Sequence, residues 1–148
     1  MDTMHAEGST LINQPAGDVF EFLCNPHVDP AELTPFEDRV TERSETPGVG
    51  AVLRTTVELA ARKLDCLARC VEFEPPHRLA MRLEGDLEGT QTWRLSPAGE
   101  GTVVQLDIRI VAPEWLPAYL RDETTAARWA QTLVDQTLAN IKTALDPL

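Results

Sequence analysis

Few residues in this 148-residue chain have side chains suited to chemistry. Cys66 and Cys70 lie four apart, a spacing that raises redox or metal chemistry. On an extended strand four residues span ~13 Å. A disulfide needs Cα atoms within about 7 Å, so the two cannot bridge there. A metal site needs further ligands at close range, and no cysteine or histidine stands nearby to complete one. On a helix the pair would sit one turn apart, and this objection would weaken. Small buried hydrophobes are the default reading for both. The histidines have the type for acid/base work. His5 sits in a terminus expected to fray, and His77 follows Pro75-Pro76 in a turn. His27, beside the Asn25-Pro26 helix stop, has a route to a ligand at a cavity rim, with a surface loop as the plainer reading. No GxSxG, Walker, Rossmann or zinc-type spacing occurs. The expectation is no metal, no cofactor and no identifiable catalytic residue.

Charge narrows the partners. The net charge is -11 with thirteen Lys and Arg, which opposes phosphate backbones and anionic lipid. No nucleic-acid partner and no membrane insertion are therefore expected. No apolar run approaches the roughly 20 residues that span a bilayer. Met1–Gly8 carries Asp2 and Glu7 and lacks the apolar core of a signal peptide. Three cysteines do not make a disulfide framework, so a reducing cytoplasm is the simplest home. Hydrophobic content of 43% and charged content of 25% fit one packed domain over residues 1–148.

The elements that must position any site read as a strand-rich body with a long helix at its end. Glu7–Asn13 is a first strand, and Gln14-Pro15 opens a helix with Ala16, Val19, Phe20, Leu23 and Cys24 on one stripe. Ala31–Leu33 could hold another helical turn. Strands follow at Phe36–Ser44, Ala51–Leu59, Arg78–Glu84, Leu87–Leu95 and Val103–Val111, with turns at Thr46-Pro47-Gly48, Gly85-Asp86 and Pro97–Gly101. Arg62–Val71 fits helix or strand: Leu64, Leu67, Ala68 and Val71 have helical spacing, while Leu64, Cys66, Ala68 and Cys70 share one strand face. Strands on both sides and the Pro75-Pro76 turn favour strand. A final helix of roughly 30 residues, ~45 Å long, is expected from near Trp115. Glu58, Arg94 and Asp107 point outward in these registers.

Three stretches carry a resemblance. Ile12-Asn13-Gln14-Pro15-Ala16-Gly17-Asp18-Val19-Phe20, then Gly89-Thr90-Gln91-Thr92-Trp93-Arg94-Leu95 with Gly101-Thr102-Val103-Val104, then Leu138–Leu145 with Ile141-Lys142 are similar to the helix-grip (START-like, SRPBCC) superfamily. Within it, the chain most resembles the polyketide cyclase/dehydrase and lipid-transport group. The resemblance implies an α+β helix-grip fold. In it a curved antiparallel sheet of about seven strands wraps a long C-terminal helix, with two short helices after the first strand.

A helix laid along a concave sheet leaves a hollow, and the registers assign its lining. The expected ligand-binding residues are Leu53, Thr55, Val57, Cys66, Ala68, Cys70, Leu79, Met81, Gln91, Trp93, Leu106 and Ile108 from the strands. Ala126, Ala130 and Leu133 come from the helix, with Thr137 beside them. An apolar wall with a few polar groups is what ligand pockets look like; the plain alternative is that these residues pack on one another. Gln91 and Thr55 would orient a ligand, or bond each other or water. The leading expectation is carriage of a small hydrophobic or amphipathic molecule. The alternatives are a polyketide cyclase/dehydratase in the same cavity and a co-chaperone-like interaction module. Trp115, Leu116 and Tyr119 are expected as an exposed apolar patch that gates the pocket or pairs subunits in a homodimer.

Overall fold

A computed structural model describes residues 3–25, 37–59, 61–118 and 122–146. One antiparallel sheet of seven strands curls around two helices. The order along the chain is β1 (Thr3–Ile12), α1 (Ala16–Cys24), β2 (Glu37–Arg43), β3 (Val52–Leu59), β4 (Arg62–Glu74), β5 (Arg78–Gly85), β6 (Glu88–Ala98), β7 (Gly101–Val111) and α2 (Glu123–Leu145). In the sheet the order is β1-β7-β6-β5-β4-β3-β2. Strands two to seven form a meander, and the first strand closes against the last. This is the helix-grip architecture. No described helix is long and apolar enough to cross a membrane.

The ambiguous segment is a strand, and it runs on to Glu74. A bulge between Cys70 and Glu72 leaves Val71 out of the pairing and 41% exposed. The extra residue shifts the face parity, so Cys70 and Phe73 both turn to the concave side. Val104, Leu106, Ile108 and Ile110 alternate inward on β7 as period two requires.

Several boundaries differ from the expectation. β1 begins at Thr3, so His5 is not frayed: it lies opposite Arg109 within the ladder. β6 runs through Pro97 and Ala98, which pair with Thr102 and Gly101. The turn is therefore confined to Gly99-Glu100, with Gly99 at a φ of 61°. The long helix begins at Glu123, not near Trp115. Asp122 caps it by accepting from the Thr125 amide at 3.1 Å. Pro113 and Pro117 punctuate the preceding segment, whose Leu116 amide bonds the Pro113 carbonyl at 3.2 Å. Among the described residues the expected patch does not form. Leu116 is 3% exposed, Trp115 is partly buried, and Tyr119 lies outside the described residues. Phe36, the turn expected at Ala31–Leu33 and His27 also lie outside them.

α2 makes its close approaches to β1 and β7. Gly8 on β1 makes this possible, because a Cβ there would sit 3.0 Å from Val134 Cγ1 and 3.2 Å from Leu138 Cδ1. The helix end is tied back to the first turn. The Asn13 amide donates to Asp146 at 2.8 Å, Gln14 to the Leu145 carbonyl at 2.9 Å, and Lys142 to the Leu11 carbonyl at 2.5 Å.

Candidate functional site

Registers sort the concave face into rows that cross the strands. One row runs Phe73, Leu79, Trp93, Leu106 and Gly8. The next runs Cys70, Met81, Gln91, Ile108 and Ala6. A third holds Leu53, Ala68, Leu83, Gly89, Ile110 and Met4. A fourth holds Val40, Thr55 and Cys66.

Burial divides these rows lengthwise. On β6, β7 and β1, Trp93, Leu106, Ile108, Ile110, Ala6 and Met4 are buried. Ala126, Ala130, Leu133, Val134, Leu138 and Ile141 of α2 are buried as well. Toward β3, β4 and β5 the inward side chains are less covered. Leu53, Val57, Cys66, Ala68, Met81 and Leu83 are only partly buried, as is Gln91 on β6. Thr55, Leu64, Cys70 and Leu79 are the buried exceptions there.

At one end of these rows a cavity of about 780 Å³ opens between α1 and two turns. Its floor is Phe20 and Phe73, whose rings meet edge to face with centroids 5.4 Å apart. Its rim includes the exposed Gly17, Glu21, Pro47 and Pro75. None of these residues belongs to the expected lining. Their signal in the sequence was the apolar stripe of α1 together with prolines in the turns. Cys24 also lines the cavity. Burial and the neighbouring Cys70 push its thiol up to about 11. Burial likewise raises the Cys70 thiol, against the pull of its bond to the Glu72 carbonyl at 3.3 Å. Both therefore stay neutral at pH 7, when the thiolate is the nucleophilic form.

The polar groups of the concave face are not equivalent. Three threonines are buried: Thr55, Thr102 and Thr137. Thr102 donates to the Gln14 carbonyl at 2.7 Å, and Thr137 to the Leu133 carbonyl at 2.6 Å. Thr55, 4% exposed, stands opposite Val40 on β2 and Cys66 on β4. Gln91, partly buried, is the other polar residue of the expected lining. The two do not bond each other. Thr55 is three strands and two rows away from Gln91, roughly 20 Å on a flat sheet.

Most charged side chains of the described strands lie on the convex face, while Arg62 has the inward parity of Leu64 and Cys66. Arg69 and Arg82 lie opposite each other, a destabilising arrangement that Glu84 bridges at 3.4 and 2.8 Å. His5 Nε2 meets Asp107 at 3.1 Å, and Arg109 meets the same carboxylate at 3.4 Å. Burial alone would raise the Asp107 carboxyl, but His5 and Arg109 hold it below its ordinary value. Glu7 completes an exposed cluster there. At the far end of the sheet the Arg62 guanidinium lies 4.7 Å from the Trp115 ring centroid, joining the β3–β4 turn to the segment before α2. His77 is exposed in the β4–β5 turn, where its amide bonds the Glu74 carbonyl at 2.7 Å.

With this geometry in hand, comparison places the chain among known proteins. Residues 3–146 match the family model described as polyketide cyclase / dehydrase and lipid transport. No curated protein matches the sequence significantly. Among solved structures, a START superfamily protein from Mycobacterium smegmatis superposes with a TM-score of 0.71 at 13% identity, covering 95% of this chain and 96% of that one. The aromatase/cyclase Zhui from a Streptomyces species gives 0.64 at 20% identity, covering 97% and 92%. The di-domain ARO/CYC protein BexL gives 0.68 at 20% identity, where 99% of this chain covers 51% of that one.

Proposed function

We propose that this chain, which belongs to the polyketide cyclase / dehydrase and lipid transport family, binds a small hydrophobic or amphipathic molecule against the concave face of β3 to β6. The observation that carries this is the uneven burial of that face. Inward residues under α2 are sealed, whereas Leu53, Cys66, Ala68, Met81 and Leu83 keep surface uncovered. Apolar surface left open inside a curled sheet favours an apolar guest. A ligand burying roughly 300 Å² of carbon gains ~7 kcal/mol before the costs of association. The cavity between α1 and the two turns serves as its mouth.

Native mass spectrometry of the purified protein tests this. A co-purified small-molecule mass, released on mild unfolding, is expected. An empty protein that also fails to enhance the fluorescence of an apolar dye would sink the reading.

A second reading, cyclisation of a polyketide in the same space, draws on the aromatase/cyclase relatives and on the amide of Gln91, which could polarise a carbonyl. Turnover lost in Gln91→Ala with folding retained would favour it.

A further inference from the structure

We infer that His5, Glu7 and Asp107 form a binding site for a divalent transition-metal ion of the Zn²⁺ kind, which would clip the first strand of the sheet to the last on the convex face. His5 and Glu7 are two apart on β1, so their side chains share that face, and Glu7 stands directly opposite Asp107 on β7. One donor atom from each, a ring nitrogen and two carboxylate oxygens, lies within 4.8 Å of the other two. His5 Nε2 and Asp107 Oδ2 are 3.1 Å apart. Two ligands on one tetrahedral zinc ion stand ~3.4 Å apart, given bonds of about 2.1 Å. That pair therefore already has nearly the spacing an ion needs. Glu7 is exposed and completes the set by rotating its side chain inward.

The sheet itself calls for a cation at this place. Like charges directly opposite across a ladder repel. On the same face the opposed Arg69 and Arg82 are reconciled by Glu84, which bridges them. An ion held between Glu7 and Asp107 does the same for the opposite sign. Arg109 reaches Asp107 through Oδ1 at 3.4 Å, on an exposed side chain that can swing aside, and Oδ2 faces His5. The donor set narrows the ion. An imidazole suits zinc, nickel and copper, whereas Ca²⁺ wants six to eight oxygens and Mg²⁺ an octahedron of them. A net charge of -11 raises the local concentration of any divalent cation. The ion would tie positions 102 residues apart, and clips that close long loops stabilise a fold most. It would do so at a sheet edge, on the strand whose other face holds Gly8 against α2.

The untagged full chain, stripped with a chelator, tests this near neutral pH. Zn²⁺ is titrated by calorimetry and Co²⁺ by its visible absorption. One ion per chain is expected, with a higher melting temperature when zinc is bound, because the unfolded chain has no such site. Mg²⁺ and Ca²⁺ at the same concentrations should not be taken up. Glu7→Gln removes one carboxylate and spares the contact of His5 with Asp107, so the fold is kept; His5→Ala removes the nitrogen. Each should weaken zinc at least about tenfold. A parent that takes up no zinc below ~1 mM would overturn the inference. So would zinc bound as tightly by either variant as by the parent, or Mg²⁺ or Ca²⁺ bound as tightly as zinc.

Discussion

The two halves of this sheet have the same alternation and opposite outcomes. On β7 and β1 the inward residues meet α2, and Leu106, Val104 and Ile12 are sealed. On β3, β4 and β5 residues of the same chemistry, Leu53, Met81 and Leu83, are left partly open. The strands do not cause the difference, since apolar residues alternate in both. It comes from where the helix lies, and Gly8 allows that close approach, since a Cβ there would meet Val134 and Leu138. Packing close on one side leaves space on the other, so closure and vacancy have one origin.

The sharpest way to break this comparison is a pair of truncations. Leu106→Ala, in the sealed half, is expected to cost about 3–5 kcal/mol in urea unfolding, because it leaves a void that cannot collapse. Met81→Ala, in the open half, should cost only ~1 kcal/mol, since part of that side chain already faces unfilled space. Equal losses would mean that both halves are packed alike. Gly8→Val probes the cause. A valine must displace Val134 and Leu138 and is expected to cost about 1–3 kcal/mol. It should also change dye binding, because the helix is shifted relative to the open half. Arg62→Ala removes the cation over Trp115 and should lower stability by only ~0.5–1 kcal/mol. Its interest lies in faster dye exchange, measured by stopped flow, if that contact closes the far end of the site.

The smallest effect concerns pH. The depressed Asp107 carboxyl contributes stability that is present above its unfolded value of about 3.9 and is lost as pH falls through its lower folded value. Parent protein should therefore lose more stability between pH 5 and pH 3 than Asp107→Asn, with melting curves at the two pH values as the check. Identical losses would show that His5 and Arg109 do not stabilise the charge.

Much of the sheet was legible before any coordinates. Period two over Val104–Ile110 and Arg78–Glu84 fixes inward faces, because each strand there pairs without interruption. The ends were harder. Thr3–Gly8 has only Met4 and Ala6 facing inward, a weak alternation, so the pairing of His5 with Asp107 went unseen. Trp115, Leu116 and Leu120 extend the helical spacing of α2 backwards. Asp122 with Thr125, a capping pattern present in the sequence, was the better guide to its start. The Val71 bulge adds a residue that no periodic rule anticipates, and it carries Phe73 inward. The cavity beside α1 was missed for a related reason. Pro47, Pro75 and Pro76 belong to turns, and turn residues carry no face assignment until the strands beside them are placed. Thr55 and Gln91 were both placed inward, yet only register shows them too far apart to satisfy each other.

The pairing of the first strand with the last has a consequence for how the protein is made. Ile12 must wait for Thr102, 90 residues later by their numbering, before the nearest rung of that ladder can form. At ribosomal speeds of ~5–20 residues per second, that is a delay of roughly 5–20 s. Throughout it the N-terminal segment is a loose, half-apolar ribbon with no neighbour. Synthesis of β7 thus becomes the step that commits the chain, and slowing translation just upstream of it should lengthen the interval in which nascent chains are captured by holdases.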